Sequence, residues 1–214
     1  MTSVKICGIT RPEDARLAVE HGAWAIGLIF WPGSPRRCEL DTAQEIAAEL
    51  RRQVEIAGVF SDATLDEVAA VAEAVPLSIL QLHGHEGPAY CREAARRTGA
   101  RVMKAARVRD QASVRALEPF HTDLHLLDAY SPDTPGGTGE RFDWGLAAHH
   151  PRNVPLVLSG GLTPDSVGEG IAAVRPFAVD TASGTEAEPG RKDEAKVRAF
   201  FRAVAAADDK AAAA

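Results

Sequence analysis

Eight short apolar runs, each followed by a stretch long enough for one helix, constrain this chain more than any other feature of its sequence. The runs are residues 4–7, 25–30, 56–60, 77–82, 101–105, 124–128, 155–158 and 177–180. Several are apolar at nearly every position, as strands buried on both faces of a parallel sheet are. Between them, residues 41–52, 65–74, 89–98 and 192–205 carry Ala, Glu and Arg at helical spacing. Caps or an early proline at Thr10-Arg11-Pro12-Glu13, Ser61, Asp110 and Thr163-Pro164-Asp165 mark where helices should begin. Eight strand–helix units in 214 residues predict an α/β fold, a single (β/α)8 barrel, more readily than an open doubly wound sheet with fewer strands. With no Pro/Gly/Ser linker inside it, the chain reads as one domain over residues 1–207. Residues 208–214, an acidic pair followed by a Lys and four alanines, predict a frayed tail.

Charge and cysteine usage narrow the partners. With 24 basic and 30 acidic residues the formal charge is -6, and no Lys/Arg cluster exceeds a pair, so nucleic acid is not an expected partner. The three cysteines, Cys7, Cys38 and Cys91, are too few for a disulfide framework and lack zinc-site spacing, which fits a reducing cytoplasm. Neither a basic n-region with an apolar core nor an apolar run near the ~20 residues of a membrane helix occurs, so no membrane association is expected.

In such barrels the chemistry sits on the loops after the strands. That filter retains Cys7-Gly8, Arg36, Gln81-Leu82-His83-Gly84, Asp128, Gly136-Gly137-Thr138-Gly139, Ser159-Gly160-Gly161 and Asp180-Thr181-Ala182-Ser183-Gly184. The paired turns at Gly160-Gly161 and Ser183-Gly184 offer backbone N–H groups to an anion, at the place where many barrels hold a phosphate. Cys7 shares a strand face with Lys5, whose ammonium would favour the thiolate; a small buried hydrophobe is the alternative. Asp128 ends an almost wholly apolar strand, where a carboxyl group is paired, metal-bound or held protonated as a general acid requires. Asp180 could pair with Lys5. Arg36, in a proline-rich loop, could clamp a carboxylate. His83 and His85 lack a third metal ligand, so no metal is expected, and His149-His150 reads as solvent-facing.

In register, Lys5-Ile6-Cys7-Gly8-Ile9-Thr10, Ser34-Pro35-Arg36, Gln81-Leu82-His83-Gly84, Leu127-Asp128, Gly136-Gly137-Thr138-Gly139 with Phe142-Asp143-Trp144, Leu158-Ser159-Gly160-Gly161-Leu162 and Asp180-Thr181-Ala182-Ser183-Gly184-Thr185-Glu186 resemble the phosphoribosylanthranilate isomerase family of tryptophan biosynthesis. The resemblance implies a monofunctional barrel isomerase that uses neither cofactor nor metal. It casts Cys7 as general base, Asp128 as general acid and Arg36 as the holder of the anthranilate carboxylate. Gly160, Gly161, Ser183 and Gly184 become the phosphate site, while Lys5, Gln81, His83, Gly137 and Asp180 are expected around the substrate. The family commonly reads Ser-Ser-Gly-Val-Glu where this chain has Ala182-Ser183-Gly184-Thr185-Glu186, so backbone donors matter more there than a side chain at 182. A ribulose-phosphate epimerase or an indoleglycerol-phosphate synthase would bring metal-binding histidines and paired aspartates, or a catalytic lysine and glutamates, which are missing here. The expected partner is a small phosphorylated molecule, and monomer and homodimer both stay open.

Overall fold

A computed structural model describes residues 1–130 and 142–213. Parallel strands β1 (Ser3–Cys7), β2 (Ala25–Ile29), β3 (Glu55–Phe60), β4 (Ile79–Leu82), β5 (Arg101–Val108), β6 (Leu124–Ala129), β7 (Leu156–Leu158) and β8 (Ala178–Thr181) close into a barrel in chain order. Closure is made by β8 pairing with β1, with Lys5 opposite Asp180. All eight expected runs are strands, and the largest shift in extent is β5, which continues to Val108 and so brings Arg107 to the mouth.

Helices α1 (Pro12–Glu20), α2 (Leu40–Leu50), α3 (Leu65–Ala74), α4 (Pro88–Thr98), α5 (Gln111–Arg115), α6 (Val167–Val174) and α7 (Glu194–Ala213) surround the barrel. Pro12 opens α1, where its missing N–H costs nothing. Asp110 caps α5 as the sequence predicts, but α3 is capped by Thr64 in a reciprocal capping box with Glu67, not by Ser61. Between β6 and β7 the described residues form a short 3-10 helix, Trp144–His149, instead of an α-helix.

The core has two main layers because strand residues alternate faces. Ala57, Ile79, Met103, Ala105, Leu124, Leu126, Val157 and Ala178 fill the interior. The opposite faces, including Val4, Ile6, Leu28, Ile56 and Leu80, pack against the helices.

Two further expectations fail. His150 is buried rather than solvent-facing: its Nε2 lies 2.9 Å from Nδ1 of the buried His125. His125 Nε2 faces the Phe120 carbonyl at 3.0 Å, so it must donate there, and His150 donates to Nδ1. Burial holds the His150 ring neutral, its pKa pushed down to about 4. The expected frayed tail is the other: α7 runs on through Ala213, and Asp208 accepts from the Thr2 N–H at 2.6 Å and its hydroxyl at 2.7 Å.

Candidate active site

At the C-terminal ends of the strands a cavity gathers most of the sequence-selected residues. Cys7, Arg36, Gln81, His83, Asp128, Gly160, Gly161, Asp180 and Ser183 all line it. Gly184 lies just behind the wall, where a Cβ would overlap the Leu162 carbonyl oxygen. Gly137, with the rest of residues 131–141, lies outside the described residues.

The glycine turns bring backbone to the cavity wall at Gly160 and Gly161. Gly160 and Gly161 have φ of +88° and +64°, in the left-handed region that other residues rarely adopt. A Cβ at Gly160 would stand 2.6 Å from the Ala129 nitrogen. Thr181 donates to the Leu162 carbonyl at 2.8 Å, tying the β7 and β8 turns into one cradle with N–H groups to offer an anion.

Lys5 does not reach the cavity. It is fully buried one layer below Cys7, where its ammonium donates to Asp180 Oδ1 at 2.7 Å. Ser159 donates to the other Asp180 oxygen at 3.1 Å, so both oxygens of that carboxylate are occupied. Burial opposes the Lys5 charge, but Asp180 and then Cys7 outweigh it and hold the pKa above the ordinary ammonium value. At Cys7 the balance differs from the sequence expectation: burial pushes the thiol up, and the pull of Lys5 toward thiolate does not overcome it.

Arg36 is not a free clamp. Its Nε lies 3.0 Å from both oxygens of Glu186, and its Nη2 is 2.9 Å from Oε2. The Ser34 hydroxyl accepts the Arg36 N–H at 3.1 Å, and Gly8 has no Cβ to crowd the Arg36 stem. Glu186 also takes the Lys192 ammonium at 3.0 Å, whose other donors go to the carbonyls of Cys7 (2.7 Å) and Ala182 (3.0 Å). Burial works to raise Glu186, but Arg36 and Lys192 hold it below the usual carboxylate range.

Asp128 faces His83 across the mouth. Gln81 Nε2 donates to His83 Nδ1 at 3.0 Å, which leaves the ring proton on Nε2. That nitrogen is 3.2 Å from Asp128 Oδ2 but too poorly aligned to hydrogen-bond. The other Asp128 oxygen accepts the Ala129 N–H at 2.9 Å. His85 points away and pairs with Asp62 at the surface.

Sequence reasoning missed four contributors. Lys192 sits on β10 (Arg191–Lys192), which pairs with β9 (Glu186–Glu188); a ribbon this short has no periodicity to read. Arg107 lines the cavity, and following β5 two residues further would have placed it there. Trp31 and Phe60 also line the cavity, and only the loop and strand positions hinted at them.

The closed (β/α)8 barrel thus gathers strand-end residues from around its mouth, the Gly160 and Ser183 turns of β7 and β8 among them, into one cavity. The family model for N-(5'phosphoribosyl)anthranilate (PRA) isomerase matches residues 4–203, and the chain belongs to this family. It is 50% identical over 200 residues to N-(5'-phosphoribosyl)anthranilate isomerase of Geobacter sp. (strain M21), covering 94% of this chain and 96% of that protein. The crystal structure of phosphoribosyl anthranilate isomerase from Thermotoga maritima matches 96% of this chain and 100% of its own, with TM-score 0.87 and 40% identity. A phosphoribosyl anthranilate isomerase solved in complex with reduced 1-(o-carboxyphenylamino)-1-deoxyribulose 5-phosphate has TM-score 0.84 and 39% identity, covering 96% and 100% of the two chains.

Proposed function

We propose that this protein isomerises N-(5-phosphoribosyl)anthranilate to 1-(2-carboxyphenylamino)-1-deoxyribulose 5-phosphate, an Amadori rearrangement in tryptophan biosynthesis. The observation that carries the reading is the shared cavity: Cys7 on β1 and Asp128 on β6 face it together with the glycine cradle and Arg36. A substrate with a phosphate at one end, a benzoate at the other and a sugar between meets a complementary group at each point. The cradle of Gly160, Gly161 and Ser183 takes the phosphate. Arg36, with Nη1 left over from its Glu186 pairing, meets the carboxylate, and Trp31 and Phe60 flank the ring.

Asp128 then gives a proton to the furanose oxygen, and the ring opens to an iminium. The positive nitrogen acidifies the C2 proton, which Cys7 takes as thiolate. The resulting enolamine tautomerises to the ketone, so one proton is given and one taken. Because burial favours the neutral thiol, the reactive form is a minority in the free enzyme, and Lys5 beneath it limits that cost.

The direct test is loss of the fluorescence of freshly made phosphoribosylanthranilate under the purified protein, with the product identified by mass and reduction. No consumption by folded protein, or consumption undiminished in both Cys7→Ser and Asp128→Asn, would end this reading.

A further inference from the structure

Behind the barrel wall lies a buried ion pair that the chemistry above does not use. Lys104 stands on β5 between the interior residues Met103 and Ala105, so its side chain points outward. It is 5% exposed and its partner Glu86 6%, and neither lines the cavity. The three ammonium donors are all used, on the Leu82 carbonyl at 3.2 Å, the Gly84 carbonyl at 2.7 Å and Glu86 Oε2 at 2.8 Å. Glu86 accepts in turn from the N–H groups of Gly84 at 2.9 Å and Asp62 at 2.8 Å.

The residue enclosed by these bonds is His83. The peptide before it is held by Lys104 through the Leu82 carbonyl, and the peptide after it by Glu86 through the Gly84 N–H. The His83 N–H itself donates to the Phe60 carbonyl at 2.8 Å. A buried ion pair costs several kcal/mol of desolvation per charge and is seldom the cheapest way to join two elements. Here it fixes a turn that contains Gly84 and Gly87 and would otherwise be loose.

We propose that Lys104 and Glu86 are positioning residues: together they hold the backbone at His83 so that its ring stays against Asp128, and Asp128 keeps its aim at the substrate. The inference rests on the isomerase reading. Catalysis is sensitive to such placement, since a shift of ~1 Å can cost about a hundredfold in rate.

Glu86→Gln keeps the shape and removes the charge. A kcat about tenfold lower is expected, a fraction of what full misplacement costs, with KM little changed because the cradle and Arg36 stand on other strands. In a His83→Ala background the same substitution should lower kcat less than about twofold, because the group through which it acts is gone. An equal loss in both backgrounds, or wild-type kcat in folded Glu86→Gln, would overturn the proposal. Should Glu86→Gln not fold, Glu86→Asp retracts the carboxylate while keeping its charge and enters the same cycle under the same criteria. The ring nitrogens of His83, followed by 15N NMR, separate this idea from the activity: a single Nε2–H tautomer is expected in the wild type and an averaged one in the Glu86 variant. A wild type that shows this difference but turns over nothing would sink the isomerase reading alone; ring signals unchanged by the substitution would sink the positioning role alone.

Discussion

At Cys7 burial and charge pull in opposite directions, and burial is the stronger. A thiol whose pKa is raised gains thiolate only at a higher pH than a free cysteine does, above the ordinary value of 9.0. If the thiolate is the base, kcat/KM should still be climbing at pH 9.0, where an unperturbed cysteine is half ionised; a plateau reached by neutrality would mean another group takes the C2 proton. Cys7→Ser should lose about 10² to 10⁴ in kcat, the range for one acid–base group. The sequence placed Cys7, Arg36, Gln81, His83, Asp128 and the Gly160 turn at the mouth because each ends or follows a strand, and strand ends are legible. It misjudged the balance at Cys7 because alternation reveals that Lys5 is near but says nothing of how little water reaches either group. Glu186, the partner that orders Arg36, stands 150 residues away in the chain, and local pattern gives no notice of it.

At the scale of elements, strand positions were read correctly and connections less so. The β7 and β8 turns depend on glycine where the neighbouring backbone comes closest, so Gly184→Ala should force the cradle apart by pushing on the Leu162 carbonyl. KM for the phosphorylated substrate should rise about tenfold, as for one lost charged hydrogen bond, with a smaller change in kcat; unchanged KM would place the phosphate elsewhere. The His125–His150 pair under β6 escaped the sequence because adjacent histidines in a polar stretch look like surface. Its sign is fixed by burial: a ring whose pKa falls from 6.5 to about 4 on folding stabilises the protein above 6.5, and that stability drains away as pH falls toward 4. His150→Gln keeps a donor for His125 and removes the titration, so its Tm should depend less on pH across that window than the wild type's.

For the whole molecule, the decisive contact is the one between the ends of the chain. The barrel closes only when β8 finds β1, and the same seam is continued outside the sheet, where α7 packs against α1 and α6 and carries Asp208 to Thr2. Composition alone made residues 208–214 look unsupported, because a contact spanning 206 positions leaves no trace in a local window. Two bonds to a half-buried carboxylate are worth about 1 to 2 kcal/mol together after allowance for solvent. For a chain of this size each kcal/mol moves Tm by about 2 to 4 °C. Asp208→Ala should therefore lower Tm by roughly 2 to 8 °C, and truncation after residue 207 should cost at least as much. Thr2 precedes β1 and so lies at the end of the barrel opposite the cavity, which predicts unchanged kcat and KM at 25 °C in both variants. Thr2→Val, which removes the hydroxyl bond and leaves the N–H bond, should fall between wild type and Asp208→Ala, and should add nothing once Asp208 is gone. If truncation leaves Tm where it was, the last turns of α7 contribute nothing to closure, and the tail is as loose as its alanines suggest.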